Sequence, residues 1–289
     1  MSKEVQVYIA DAFTGTPFGG NPAGIVIDQD QLDDREKQTL AAELKHSETA
    51  FLTELDTNIY RTDFFTPVEE VDLCGHATIA SFYTLAKMGY IHGPEEGVLP
   101  VTQVTKAGKL KVYLHYKNGE VHWVEMAQPA ALFGDKISVE KLSDTLDLPP
   151  SAIGLEGLEP MIVSTGIRDV MVPVKERIWL ESIKVDRERM IRQNEQDHFY
   201  SYHVFTMEDG VVYQRNFCPI LEIDEEAATG TATGALLAYL NKFRGVEELK
   251  AIQGLEMNRP SNISARYGSN GEIIVGGSAV IILSGVITL

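Results

Sequence analysis

The apolar positions change period several times along the chain, and each change predicts an element. EVQVYIADAF (4–13) alternates apolar and polar residues, the two-residue period of a strand with one buried face. TGTPFGGNPAG (14–24) interrupts it with Gly and Pro, and strand-like IVID follows. DDREKQTLAAELKH (33–46) has helical spacing and an acidic start, suited to the positive end of a helix. The chain must then return to strand within HSETAFLTEL, and NIYRTDFFTP (58–67) continues as strand. CGHATIASFYTLAKMGYI (74–91) predicts a helix ending near Gly89. VTQVTKAGKLKVYLHYKNGEVHWVEMA alternates again, with Asn118-Gly119 as a hairpin turn. AQPAALFGD (127–135) predicts a linker, and SVEKLSDTLDL a helix stopped by Pro149 and Pro150. PMIVSTGIRDVMVPV (160–174) predicts strand, turn and strand. DRERMIRQNEQDH (186–198) predicts a helix, and SYHVFTM and VVYQRNF predict strands. The last run, EIIVGGSAVIILSGVITL, is broken by Gly and Ser and predicts two strands.

One order of features occurs twice. YRTDFFTPVEEVDLCGHATIASFYTLA and YQRNFCPILEIDEEAATGTATGALLAYL each have a strand, a Phe-x-Pro, an acidic bend, a Gly followed by His or Thr, and an apolar helix. This predicts an internal duplication with a period of about 150 residues. The alternative is two unrelated strand–helix units. The domains expected are 1–127 with a central helix at 75–89, and 128–277 with a central helix at 229–243. A final strand, 278–289, is expected to return to the first domain.

Composition narrows the function classes. The 289 residues suffice for a substantial core. A net charge of −17 argues against a broad nucleic-acid or anionic-membrane surface, since both would repel it. Two cysteines, Cys74 and Cys218, make no disulfide framework and fit a reducing compartment. MSKEVQVYIADAF has no long apolar run, and no stretch reaches the roughly 18 apolar residues of a membrane span. A cytoplasmic location is expected.

The candidate chemistry lies at the starts of the two repeated helices. The first N–H groups of a helix lack intrahelical partners, and the helix dipole is positive there. Glycine admits a ligand close to the backbone. Gly75-His76 and Gly230-Thr231 therefore offer anion-binding positions. Glu48 sits where a predicted helix ends and TAFL begins. Half burial there would raise its pKa toward the range of an acid/base catalyst. The plainer readings are structural helix starts and a solvated turn glutamate.

HSETAFL, TPVEEVDLCGHATIAS and EEAATGTATGALLAYL resemble the phenazine-biosynthesis PhzF-like isomerase family. DAFTGTPFGGNPAGIVI, STGIRDVMVPV and RPSNI (259–263) extend the resemblance from end to end. It implies an α/β (α+β) fold like that of diaminopimelate epimerase. Two similar domains would each wrap a curved, mostly antiparallel sheet or barrel around a central helix, with the site between them. The family's acid/base glutamate matches Glu48, and its CGHA histidine matches His76. Its second acidic residue, usually aspartate, matches Glu226, with Asp224 as a substitute two residues earlier. Thr231 stands where the family has serine, and Ala227 where it has proline. By the resemblance the catalytic set is Glu48, His76 and Glu226, and the substrate-binding set is Gly75, Gly230 and Thr231. The implied reaction is a proton shift without cofactor or metal on a small carboxylate-bearing substrate. In the founding enzymes that substrate is trans-2,3-dihydro-3-hydroxyanthranilate. A homodimer is implied as well.

Two rivals remain in view. An amino- or hydroxy-acid epimerase of this fold places a thiol at each helix start. Cys74 fits the first, but Ala228-Thr229 at the second has none, so Cys74 reads as a packing residue. A small-acid binding protein would need the helix-start amides but not Glu48. Metal hydrolysis, nucleotide binding and serine hydrolysis lack their motifs: no HExxH or CxxC, no phosphate loop, no G-x-S-x-G.

Overall fold

The computed structural model describes residues 3–29, 32–155 and 157–289, so Met1 and Ser2 of the N-terminal segment lie outside the described residues. The chain divides into two compact units, one of Met1–Ala127 with Gly276–Leu289, the other of Gln128–Val275. Each is a mixed α/β unit.

The first unit begins with β1 (Glu4–Ala12), β2 (Asn21–Ile27), α1 (Asp34–Leu44), β3 (Thr49–Asp56), β4 (Ile59–Phe65) and β5 (Glu70–Val71). It continues with α2 (Gly75–Lys87), β6 (Glu96–Thr105), β7 (Gly108–Lys117) and β8 (Glu120–Gln128). The second contains β9 (Leu132–Lys136), α3 (Val139–Leu146), β10 (Met161–Ser164), β11 (Arg168–Pro173), α4 (Arg177–Ser182), α5 (Arg187–Asp197) and β12 (Ser201–Glu208). It ends with β13 (Val211–Cys218), β14 (Ile223–Glu226), α6 (Gly230–Arg244), β15 (Glu248–Gln253) and β16 (Ser261–Tyr267). β17 (Ile273–Gly277) and β18 (Ala279–Thr288) close the chain, and β18 lies antiparallel along β1.

The two units repeat one topology. In the first, β1–β2, β3–β4, β4–β5 and β6–β7 are antiparallel, while β2–β3 and β4–β6 are parallel. In the second, β10–β11, β12–β13, β13–β14 and β15–β16 are antiparallel, while β11–β12 and β13–β15 are parallel. A parallel pair needs a long crossover. The crossovers are α1 and α2 in the first unit, and α4 with α5, then α6, in the second. The repeat read from residues is thus a repeat of strand pairing.

α2 and α6 are the central helices. α2 packs on β1, β2, β3, β7 and β18, and α6 on β10, β11, β15 and β16. Ten of the thirteen α2 residues and eleven of the fifteen α6 residues are buried. A helix covered all round has no solvent face to fill with charge. That is why ATIASF and ATGALLAYL are small or apolar throughout.

Local signals set most boundaries. Asp33 caps α1 through Glu36 N while the Glu36 side chain answers to Asp33 N, a reciprocal capping box. Ser138 and Asp186 cap α3 and α5. Asn118 and Gly119 both have positive φ, 53° and 74°, as a two-residue hairpin turn between Lys117 and Glu120 requires. Gly20 has φ +61°, and a Cβ there would lie 2.1 Å from the Ala12 carbonyl oxygen.

Three expectations change. The 127–135 linker is shorter, because β8 runs to Gln128 and Leu132 and Phe133 already pair with Ser164 and Val163 of β10. α2 stops at Lys87, where Met88 leaves the helix and Tyr90 N turns back to Leu85 O. α4 was not legible: it has six residues and buries only Leu180, too short for a periodic signal.

One ion triad bonds α1 to the sheet. Lys37 Nζ lies 2.6 Å from Asp63 Oδ2 and 3.2 Å from Asp28 Oδ2, over the Phe51 ring. The Asp28 side chain is fully buried, and its Oδ1 accepts Leu32 N at 2.9 Å. Removing the cation leaves a buried carboxylate without its charge partner. Lys37→Met is expected to destabilise the protein by about 3–5 kcal/mol, measured by urea unfolding.

Candidate functional site

The first unit gathers three reactive side chains. Glu48 immediately precedes β3, and its carbonyl accepts Gly24 N at 3.1 Å, which ties the residue to β2. Cys74 is the N-cap of α2, and His76 follows in the first turn. His76 Nε2 lies 3.2 Å from Glu48 Oε2 and 3.3 Å from Ser47 Oγ. Cys74 Sγ lies 3.4 Å from His76 Nδ1 and 3.9 Å from Nε2. The Glu48 and His76 side chains are only 12% and 4% exposed.

Burial pushes the Glu48 carboxyl above its usual range, and hydrogen bonds with Ser47 and Cys74 partly offset this. Cys74 and Thr229, the N-caps of α2 and α6, make no side-chain capping hydrogen bond. The capped starts of α1, α3 and α5 contrast with this. Both central helices begin without such a cap, as does the short α4, and the two central starts carry the candidate residues.

The second unit places Glu226 at the end of β14, half-buried, with Thr229 Oγ1 donating to Oε2 at 2.6 Å. Gln253 Nε2 donates to the Glu226 carbonyl at 2.8 Å, and Gln253 Oε1 accepts Thr229 N at 3.1 Å. Gly230 and Thr231 open α6, and the Thr231 carbonyl accepts Thr165 Oγ1 at 2.9 Å. Asp224 instead pairs with Arg187 at an exposed position. Glu225 is held by Arg215 through two 2.8 Å bonds, with the guanidinium also donating to the Leu180 and Ile183 carbonyls. Of the three neighbouring acids, Glu226 alone turns to the helix start.

Behind Glu226 runs a buried polar row that motif reading missed. Ser201 Oγ lies 2.6 Å from Asp169 Oδ1 and 3.1 Å from Asn216 Oδ1. His203 sits between Asn216 and Gln214, 3.0 and 3.1 Å from their side-chain oxygens. Gln214 Nε2 donates to Thr233 Oγ1 of α6 and to Gln253 Oε1. Burial drives the His203 pKa down to about 4, so the ring is neutral near pH 7. A neutral ring has one N–H, so one of the two amides must turn its NH2 toward it. The sequence signal was there: Ser201-x-His203 and Gln214-x-Asn216 place polar residues on one face of apolar strands.

A family model described as phenazine biosynthesis-like protein (PhzC-PhzF) matches residues 10–285. The chain belongs to this family. It is 34% identical to the uncharacterized isomerase YfhB of Bacillus subtilis, over 93% of this chain and 92% of the relative. It is 31% identical to the uncharacterized isomerase YddE of Escherichia coli O157:H7, over 96% of each. Among solved structures, a Bacillus anthracis phenazine biosynthesis protein of the PhzF family superposes with a TM-score of 0.86 at 30% identity, covering 99% of this chain and all of that one. A hydroxyproline epimerase from Agrobacterium vitis superposes at 0.67 with 13% identity, covering 99% and 93%, a likeness of fold alone. The chain is thus a PhzF-like isomerase with a fold shared by racemases and epimerases. Among the described residues, no helix is long and apolar enough to cross a membrane.

Asp169 gives this PhzF-like chain a pH signature. Burial, with the nearby Glu226 charge, raises its pKa from 3.8 to about 8, against the pull of Ser201. The folded state therefore holds a proton that the unfolded state has released between those values. Its contribution is fully present below about pH 4 and lost as pH rises to about 8, by up to about 1.4 kcal/mol per pH unit. Asp169→Asn keeps an acceptor for Ser201 and cannot ionise. Its stability relative to wild type is expected to climb from pH 4 to pH 8 and then level off, measured by denaturant unfolding across pH.

Proposed function

We propose that this chain moves a proton on a small carboxylate-bearing substrate by general acid/base catalysis, with Glu48 as the group that takes and returns the proton. The observation that carries the reading is the buried Glu48 carboxylate 3.2 Å from the His76 ring, with its pKa raised by burial. A carboxylate with ordinary pKa is a weak base near neutrality and a poor holder of the proton it removes. Raising its pKa improves both steps. Glu48 Oε2 is buried and makes no hydrogen bond of good geometry, which leaves the ionised form without a strong donor at that oxygen. His76 lies against the carboxylate, and Ser47 hydrogen-bonds with both that ring and the carboxyl. The α2 start adds backbone dipoles, favourable to developing negative charge.

The epimerase alternative would use two thiols. Cys74 stands at the start of α2, but the α6 start has Thr229, and Cys218 Sγ instead donates to the Tyr200 carbonyl at 3.4 Å. This disfavours a thiol pair and supports a single carboxylate base. A binding protein would gain nothing from Glu48, which repels an anionic ligand.

The test is proton exchange on dihydro-3-hydroxyanthranilate, followed by NMR in heavy water, with wild type beside Glu48→Gln. Isomerisation or deuterium uptake is expected in wild type, with a loss of at least about 100-fold in the variant. The acid limb of the pH–rate profile is expected above the ordinary glutamate value of 4.5. Glu226→Gln in the same assay reads the part of the α6 start. Undiminished turnover in Glu48→Gln overturns the assignment. Absence of turnover in wild type removes this ring substrate, and the same pair of proteins is then assayed with other small amino and hydroxy acids.

A further inference from the structure

Glu48, Cys74 and His76 present a carboxylate oxygen, a sulfur and a ring nitrogen within 4.8 Å of one another. We propose that these three side chains form a capture site for a thiophilic divalent cation of the zinc type, and that the metal takes the place of the catalytic proton. The binding claim stands on geometry alone, and only the inhibition it would cause rests on the isomerase reading.

The spacing fits the ion. Zinc bonds of about 2.0–2.2 Å to N and O and about 2.3 Å to S, in a tetrahedron, separate the donor atoms by roughly 3.3–3.6 Å. His76 Nε2 lies 3.2 Å from Glu48 Oε2 and 3.9 Å from Cys74 Sγ, on either side of that range. Cys74 Sγ, within 4.8 Å of both other donors, would have to move a few tenths of an ångström or more toward them by rotation of its side chain. Glu48 Oε2 is buried and makes no hydrogen bond of good geometry, so it has coordination capacity to spare.

The charge fits too. A thiolate and a carboxylate carry two negative charges, and the imidazole binds metal in its neutral form. A divalent cation therefore neutralises the set, which matters where all three side chains are largely buried. Cys74 sits at the N-terminal end of α2, whose dipole favours the thiolate. Binding releases the thiol proton to solvent, along with the Glu48 proton wherever that carboxyl is protonated. Sulfur and imidazole select zinc-like ions over magnesium or calcium. Three protein donors leave a fourth position open, as in reactive zinc sites. Here the bound carboxylate is the one assigned to proton transfer, so occupation would silence that reaction.

The chain has no HExxH or CxxC motif. This set is Glu48 joined to Cys74-x-His76 from a distant segment, so only folding brings the donors together.

The test titrates the full, metal-free protein with Co2+, whose bond to a thiolate gives a near-ultraviolet charge-transfer band. One equivalent is expected to saturate the band in wild type, Zn2+ to bleach it and Mg2+ to leave it unchanged. Cys74→Ser is expected to abolish it and Cys218→Ser to retain it. Glu48→Gln keeps the thiol and the shape, and is expected to weaken binding by at least the roughly 10–100-fold that even an outer-shell loss costs. No band in wild type, a band that survives Cys74→Ser, or one that disappears only in Cys218→Ser overturns the proposal. Because binding is read without substrate, its failure leaves the isomerase reading untouched, and failure of the isomerase assay leaves the metal site standing.

Discussion

A carboxylate held out of water beside an imidazole is the constraint on which the first unit depends. Ionised Glu48 is disfavoured by burial, and the contacts around it are those that make such a group tolerable: His76 at 3.2 Å, with hydrogen bonds from Ser47 and Cys74. These partners come from two segments. Ser47 and Glu48 lie at the entry to β3, and Cys74 and His76 at the start of α2. The β2–β3 pairing fixes the first segment, and burial of α2 against β1, β2 and β3 fixes the second. The hydrophobic core thus sets the geometry of a polar cluster that could not form in a loop.

The repeated topology shows how one scaffold carries two kinds of helix start. Thr78 Oγ1 bonds back to the Cys74 carbonyl at 2.7 Å, and Thr233 Oγ1 to the Thr229 carbonyl at 2.8 Å. Each threonine is also tied to a buried glutamine, Thr78 to Gln103 and Thr233 to Gln214. These shared bonds stiffen the first turns of both central helices. The side chains presented there differ. The first unit gathers carboxyl, imidazole and thiol, while the second offers Glu226 with hydroxyls, backed by a polar row from Asp169 to Gln253. The row leaves few groups unsatisfied, which suits a network that must survive burial.

Local chemistry made most of the fold legible. Helical spacing announced α1, α3 and α5, and Asp33 with Glu36, Ser138 and Asp186 cap their starts within a single turn. Asn118-Gly119 announced a hairpin because few residues accept two successive positive φ values. The central helices were visible from uninterrupted small and apolar residues. The failures have separate causes. α4 is too short to show a period, and the linker was shortened by β9, whose pairing with β10 is a long-range event.

The sequence by itself determined the family, the repeat and the residue types at the helix starts, since these are carried by contiguous motifs such as SETAFL, CGHA and ATGTA. Tertiary structure decided what those residues do to one another. It turned Glu226 rather than Asp224 toward α6, because Arg187 holds Asp224 at the surface and Arg215 holds the intervening Glu225. It placed Cys74, which reads in sequence as packing, against the His76 ring. It buried Asp169 and His203 deeply enough to move their proton affinities in opposite directions. Burial and through-space distance create these properties, and neither is encoded in any one stretch of chain.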